Sequence, residues 1–201
     1  MSAAPIDFYF DFSSPYGYVA SRLAADIERS TGRALRWRPV LLGAIFKTTG
    51  QAPLTEVPLK GDYSRRDFAR TARLHKVEYR HPDPFPVGTV AACRAFYALD
   101  AIDPQAARRL AEALFLAFFR DNRDISTASG VLAIAKEAHL DGEALARSIE
   151  DPAVKDRTRR AVEEAIAAGV FGSPYFIADG EPFWGVDRIP MLESWVRSGG
   201  W

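Results

Sequence analysis

Cysteine is almost absent from this chain of 201 residues, and histidine is scarce. Cys93 is the single cysteine, which excludes an internal disulfide and a four-cysteine zinc site. The three histidines are scattered and lack the spacing of metal ligands. Cys93 lies among small residues of a predicted buried helix face, where a free cysteine packs as a small hydrophobe. We therefore expect a metal-free protein in which Cys93 takes no part in chemistry.

Neither sign of charge dominates, and long apolar runs are lacking. The 26 basic and 26 acidic residues cancel, and no lysine and arginine block provides the electrostatic footprint of a nucleic-acid-binding protein. No apolar run approaches the ~20 residues of a membrane span, and the first seven residues do not resemble a secretory signal. The GxGxxG, P-loop and G-x-S-x-G motifs are absent as well. We expect a soluble, cytoplasmic protein without nucleic-acid or membrane partners.

The first 40 residues have the pattern of a βαβ unit. Residues 6–12 are apolar and rich in aromatics, and residues 35–40 alternate, which predicts two buried strands. Ser14 followed by Pro15 is typical of a helix start, and Gly32 is typical of a helix end. The two strands should be parallel, joined by a right-handed crossover.

The rest of the chain divides into a helical stretch and a final ββα unit. From residue 41 to about residue 168 we find helix signals, several with Asp, Ser or Thr as the N-cap, and no convincing strand. A β-hairpin turning at Asp179-Gly180 and a terminal helix follow. Neither set of strands can bury its sheet alone. This predicts an α/β, thioredoxin-like fold in which residues 1–41 and 169–201 form one discontinuous domain and residues 42–168 form an all-helical insertion.

Ser14 is the first candidate for chemistry, because it lies where thioredoxin-type folds carry Cys-x-x-Cys. Without two sulfurs the chain cannot perform dithiol exchange. The helix N-terminus still favours an anion. A hydroxyl there can donate to a thiolate of a bound ligand and lower the pKa of that thiol. The alternative role for Ser14 is an ordinary N-cap.

Further candidates lie later in the chain. Ser173 and Pro174 open the penultimate strand, where the X-Pro bond of this fold is typically cis and the backbone of Ser173 could pair with a peptide-like ligand; a plain turn proline is the alternative. Asp187 could bind a ligand ammonium, cap the last helix, or do both. The predicted insertion contributes Phe46, Lys47, Lys60 and residues 85–89.

Four segments carry a family resemblance: FDFSSPY at residues 10–16, WRPVLLGAIFK at 37–47, VFGSP at 170–174 and FWGVDR at 183–188. The second is the most discriminating, because no generic structural requirement explains it. Together they resemble the 2-hydroxychromene-2-carboxylate isomerase family, within the DsbA-like thioredoxin superfamily and close to kappa-class glutathione transferases. The resemblance covers essentially the whole chain.

The resemblance implies glutathione as cofactor and a set of residues around it. Ser14 would face the sulfur, and Ser173, with Pro174, would pair with the cysteinyl backbone. The remaining implied contacts are Val186 and Asp187 with the γ-glutamyl end, Lys60 with the glycyl carboxylate, and Lys47, Phe46, Pro86 and Thr89 with an aromatic acid substrate. Two positions depart from the family. Val186 replaces Ser or Asn, which leaves only its backbone N–H, and Gly88 replaces an Asn before Thr89.

The implied activity is a glutathione-dependent isomerisation of 2-hydroxychromene-2-carboxylate-type ring ethers to trans-o-hydroxybenzylidenepyruvate-type products in aromatic hydrocarbon catabolism. The thiolate would add reversibly to the ring, permit rotation after ring opening, and leave again. The family also implies a homodimer. Two other functions stay open at this point: a kappa-like glutathione S-transferase and a cysteine-less thioredoxin-like binding module.

Overall fold

A computed structural model describes residues 4–201 and contains a four-stranded sheet in the order β2-β1-β3-β4. The strands are β1 (Ile6–Phe10), β2 (Leu35–Pro39), β3 (Tyr175–Ala178) and β4 (Glu181–Trp184). β1 pairs with β2 in parallel and with β3 antiparallel, and β3 pairs antiparallel with β4. The predicted parallel βαβ unit and the terminal hairpin are therefore confirmed.

Over the described residues, nine α helices accompany the sheet. They are α1 (Pro15–Thr31), α2 (Leu42–Thr49), α3 (Lys60–Leu74), α4 (Val90–Asp100), α5 (Pro104–Phe119), α6 (Ala128–Glu137), α7 (Gly142–Glu150), α8 (Pro152–Ala167) and α9 (Ile189–Ser198). Short 3₁₀ turns cover Leu54–Glu56 and Val186–Arg188. Among the helices of residues 4–201, none has the length and apolar character that a membrane crossing requires.

Local sequence signals explain most of the helix boundaries. Ser14, Asp103 and Asp151 each cap a helix that has proline in its first turn. Gly32 ends α1 with φ 66°, in the left-handed region that favours glycine. The start of α3 lacks such a signal, because its N-cap is Leu59, whose side chain makes no capping hydrogen bond.

The first strand is shorter than predicted. It ends at Phe10, and Asp11 and Phe12 leave the sheet to enter the turn before α1. The reason is the buried Asp11 side chain, which accepts a hydrogen bond from the backbone N–H of Ser13 and so stabilises a turn. The end of β1 is consequently the place where the chain turns toward the N-terminus of α1.

The largest apolar cluster is shared by the sheet and the long helical segment. Phe10 of β1 packs against Trp37 of β2, with ring centroids 5.5 Å apart, and also against Phe96 of α4 and Phe115 of α5 at 6.3 and 5.4 Å. Tyr9 points to the opposite face, as alternation along a strand requires, and packs with residues of a second cluster. The helices between β2 and β3 thus complete the sheet's core, while the division into two domains remains a prediction.

Candidate functional site

A cavity of about 640 Å³ opens beside the N-terminus of α1. Ligand sites typically have volumes of roughly 300–1,000 Å³, so the cavity can hold a small molecule. Its lining comes from five parts of the chain: the turn before α1, α2 with the segment that follows it, α3, residues 85–87, and residues 171–173 with Trp184. The fold brings these parts together because each follows or precedes an element that packs beside β1.

Ser14 lies at the polar centre of this cavity. It is buried, and its hydroxyl oxygen accepts from the N–H of Gly17 at 3.0 Å, which makes it the N-cap of α1. The same hydroxyl donates to the carbonyl oxygen of Ser173 at 3.1 Å. Pro15 has no backbone N–H, so within the described chain the N–H of Tyr16 is the donor that the first turn leaves for a ligand. No acidic side chain occupies that first turn to repel an anion.

The segment before β3 forms the opposite side of the polar centre. The Ser173-Pro174 peptide bond is cis, as predicted. The Ser173 hydroxyl accepts from the backbone N–H of Asp11 at 3.1 Å. The carbonyl of Pro174 accepts from the N–H of Gly185 at 3.1 Å, which fixes the end of β4 beside this segment. Ser173 therefore presents its backbone toward the start of α1.

Asp11 is a site residue that the sequence analysis missed. Its carboxylate lines the cavity, is 4% exposed, and accepts from the N–H of Ser13 at 2.8 Å, the N–H of Leu42 at 2.7 Å and the hydroxyl of Thr89 at 3.0 Å. Burial raises the pKa of Asp11, and the three donors oppose that rise. An aspartate between two phenylalanines at a strand end was the available signal.

Aromatic side chains make up much of the cavity wall, and several of them were not predicted. Phe68, Phe85, Phe171 and Trp184 all line it. The ring centroids of Phe171 and Trp184 are 4.8 Å apart. A side chain at Gly172 would overlap the indole nitrogen of Trp184. The cavity wall thus favours a planar, apolar molecule.

The start of α1 is also tied to α3, which carries part of the wall. The hydroxyl of Tyr16 donates to a carboxylate oxygen of Asp67 at 2.5 Å, and the rings of Tyr16 and Phe68 make an edge contact at 5.0 Å. Burial, followed by the Asp67 hydrogen bond, raises the pKa of Tyr16 far above its ordinary value. Tyr16 is therefore a neutral phenol that holds the two helices together.

Seven of the candidate residues line the cavity: Ser14, Phe46, Lys60, Phe85, Pro86, Val87 and Ser173. Among the described lining residues Lys60 is the one cation, and Asp11 is the one carboxylate. These placements bring the predicted sulfur position, a cation and an apolar wall into one cavity.

The structure does not bring the other predicted residues to the lining. Lys47 is exposed on α2, and Thr89 is buried with its hydroxyl on Asp11. Val186 belongs to the apolar core, whereas Asp187 is exposed and pairs with Arg188 at 2.9 Å. The alternative role of Asp187 as the cap of the last helix is wrong, because a 3₁₀ turn intervenes and Arg188 holds the N-cap position of α9.

Cys93 lies inside α4 and does not line the cavity. It is fully buried, and its sulfur is 3.7 Å from the carbonyl oxygen of Val40. Burial raises the pKa of its thiol well above the ordinary value, so the thiolate is scarce at neutral pH. Within residues 4–201, no group of three or more His, Cys, Asp or Glu side chains could hold a metal ion.

Known proteins are similar to this chain in sequence and in fold. The family model of the DsbA-like thioredoxin domain matches residues 5–197. The chain is 32% identical to 2-hydroxychromene-2-carboxylate isomerase from Sphingobium xenophagum, covering 95% of this chain and 97% of that protein. It is 26% identical to glutathione S-transferase kappa 1 from Rattus norvegicus, covering 98% and 95%.

A solved structure shares the complete architecture. The structure of a 2-hydroxychromene-2-carboxylate isomerase superposes with a TM-score of 0.85 at 24% identity, covering 96% of this chain and 94% of that one. The predicted thioredoxin-like fold is confirmed by this match and by the family model. The chain belongs to the 2-hydroxychromene-2-carboxylate isomerase family of DsbA-like thioredoxin domain proteins.

Proposed function

We propose that this protein is a glutathione-dependent enzyme that isomerises 2-hydroxychromene-2-carboxylate-type ring ethers to trans-o-hydroxybenzylidenepyruvate-type products. The observation that carries the proposal is the pairing of Ser14 with Ser173 at a helix N-terminus that faces an apolar cavity. The names of the relatives support a glutathione-linked isomerase or transferase. A role in aromatic hydrocarbon catabolism, a cytoplasmic location and a homodimer complete the proposal.

The residues present fit glutathione. The Tyr16 N–H and the Ser14 hydroxyl suit a thiolate at the positive end of α1. The backbone of Ser173 suits an extended peptide, and Lys60 suits its glycyl carboxylate. When bound, glutathione would supply the nucleophilic thiolate that the chain itself lacks.

The Ser14 hydroxyl has a defined task in this arrangement. This hydroxyl donates to the carbonyl of Ser173 when no ligand is bound. A peptide N–H of the ligand that donates to the same carbonyl would replace the hydroxyl as its donor. The Ser14 hydroxyl could then rotate and donate to the ligand sulfur. Such a hydrogen bond, together with the helix terminus, stabilises the charged form and lowers the pKa of the thiol.

The ends of the two ligands would lie on either side of this centre. We place the γ-glutamyl ammonium near the exposed carboxylate of Asp187 and the γ-glutamyl α-carboxylate near the backbone N–H of Val186. The aromatic acid would lie against Phe46 and Pro86, whose side chains line the cavity. The apolar walls would hold the planar ring and exclude water from the sulfur position.

A kappa-like transferase is the second candidate, favoured by the 26% identity to the rat kappa enzyme across almost the whole chain. The same cavity would then serve an irreversible transfer of glutathione to an electrophile. The third possibility, a binding module without turnover, shares the ligand-binding residues and differs only in the absence of a reaction.

Binding and turnover can be tested in sequence. Glutathione should raise the melting temperature of the protein, because a ligand of the native state stabilises it, and S-methylglutathione should do so without supporting turnover. An isomerase would interconvert the chromene carboxylate and its product while free glutathione stays constant, whereas a transferase would consume glutathione in proportion to product. Glutathione at millimolar concentration that neither stabilises the protein nor supports turnover would contradict the proposal.

A further inference from the structure

Asp11 lies at the junction of the segments that form the polar centre of the cavity. Its backbone N–H donates to the Ser173 hydroxyl, and its carbonyl accepts from the N–H of Ser14 at 3.0 Å. Its side chain accepts from Ser13, from Leu42 at the start of α2 and from Thr89 at the start of α4. Each of these segments carries or adjoins residues that line the cavity.

Thr89 contacts this carboxylate and not the cavity. It occupies the N-cap position of α4, yet its side chain makes no capping hydrogen bond. Its hydroxyl donates instead to Asp11, 78 residues away in sequence, and the Thr89 side chain is buried. The placement of Thr89 therefore separates it from a substrate in the cavity.

We propose that Asp11 is a positioning residue of the thiol site and that Thr89 acts on the site through Asp11. The proposal rests on the proposed function only for its kinetic consequence. The carboxylate draws together the turn that carries Ser14, the start of α2, which leads to Phe46, and the start of α4, which follows Pro86. An ionised carboxylate accepts each of these hydrogen bonds more strongly than the protonated acid does.

The groups around Asp11 set the pKa of its carboxyl. The turn before α1 and the first residue of α2 present backbone N–H groups, the segment before β3 presents the Ser173 hydroxyl, and the N-cap of α4 presents the Thr89 hydroxyl. The titratable group facing it is the buried thiol of Cys93, also on α4. Burial raises the pKa of Asp11, and the Thr89 hydrogen bond lowers it. Removing the Thr89 hydroxyl should raise that pKa further.

The test compares Thr89→Val with Thr158→Val. Thr158 is also a buried threonine, but its hydroxyl donates at 2.9 Å to the carbonyl of Val154 within α8. Unfolding by denaturant at a series of pH values gives one readout that requires no glutathione. Thr89→Val should lose more unfolding free energy as the pH rises through the pKa of Asp11. The reason is that the hydrogen bond from Thr89 is stronger to the ionised carboxylate than to the protonated acid. The loss in Thr158→Val should not depend on pH.

Turnover provides the second readout. The acid limb of kcat/KM should move to higher pH in Thr89→Val, by about one pH unit for the loss of a hydrogen bond to a charged group, and should not move in Thr158→Val. Asp11→Asn removes the titration itself. Relative to wild type its stability should rise with pH, because a carboxyl whose pKa is raised by folding destabilises the native state as it ionises.

The outcomes separate the proposal from its alternatives. One set of results would overturn the proposal: Thr89→Val loses the same stability at every pH, keeps the wild-type acid limb of kcat/KM, and has a higher KM for the aromatic substrate. Thr89 would then contact the substrate directly. If the wild type neither bound nor used glutathione, the proposed function would fail, and the denaturation series would still decide whether Thr89 acts on Asp11. Should Asp11→Asn fail to fold, the threonine pair carries the test.

Discussion

The hydroxyl of Ser14 donates to the carbonyl oxygen of Ser173 across 159 residues of sequence. This bond joins the N-cap of α1 to the residue before a cis-proline, and both residues line the same cavity. Ser14 therefore has a local role in α1 and a long-range role between the two ends of the chain. A substitution that separates these roles is the most direct probe of the site.

Replacing Ser14 by alanine should affect both stability and catalysis. Loss of an N-cap side chain costs about 0.5–2 kcal/mol of unfolding free energy. If the hydroxyl also stabilises a bound thiolate, the pKa of the glutathione thiol should rise, the rate at neutral pH should fall, and a higher pH should recover part of it. Turnover against pH, with circular dichroism to confirm the fold, measures both effects.

Thr127→Ala is the matched control for Ser14→Ala. Thr127 caps α6 by accepting from the N–H of Gly130 at 3.2 Å and does not line the cavity. Its replacement should lower stability by a similar amount and leave the pH profile of turnover unchanged. Superimposable pH profiles for wild type and Ser14→Ala would show that Ser14 acts only as a helix cap.

The two lysines predicted for the site should behave differently. Both lysines are exposed, but Lys60 lines the cavity and Lys47 does not. Lys60→Ala should raise KM for glutathione about 2- to 5-fold, the effect of an exposed ion pair worth up to about 1 kcal/mol. Lys47→Ala should leave both KM values unchanged. A larger effect of Lys47→Ala on the aromatic substrate would instead support the role that the family resemblance implies.

A side chain at Gly172 should displace the indole of Trp184. Alanine at Gly172 would overlap the indole, so Trp184 must move, and glutathione should stabilise the variant less than it stabilises wild type. Gly43→Ala is the control, because Gly43 also lines the cavity but an added Cβ there has no atom within 4 Å. Tryptophan fluorescence and thermal shift report the two effects.

A double-mutant cycle tests the cause of the Gly172→Ala effect. If the clash with Trp184 is responsible, the combined change in stability of Gly172→Ala and Trp184→Ala should be smaller than the sum of the single changes. Additive changes would show that Gly172 acts through its backbone and not through the space that the indole occupies.

Cys93 should be dispensable for turnover. A thiol reagent should fail to react with the native protein and should modify one thiol per chain in denaturant, since Cys93 is the single cysteine and is fully buried. Cys93→Ser should lower the unfolding free energy by about 1–3 kcal/mol, the cost of an unsatisfied buried polar group. Activity per folded molecule should stay unchanged, and its loss without loss of the fold would contradict this prediction.

Local signals account for most of what the sequence predicted correctly. A capping serine followed by proline specifies the start of α1 within four residues, and Asp179-Gly180 specifies the hairpin turn. An aromatic-rich apolar run predicted β1, alternation predicted β2, and an apolar segment with the hairpin turn predicted β3 and β4. Lys47 and Lys60 illustrate the limit, because both are exposed lysines in a helical segment and their local sequence does not show which one faces the cavity.

The sequence by itself thus determined the order of the elements and the position of Ser14 at a helix N-terminus, because capping and turn formation depend on neighbours a few residues apart. Only the tertiary structure decided which distant groups meet. Asp11 receives donors from Leu42 and Thr89, 31 and 78 residues away, and the indole of Trp184 covers Gly172. Such contacts follow from how helices and strands pack around a shared apolar core, which the local sequence pattern does not encode.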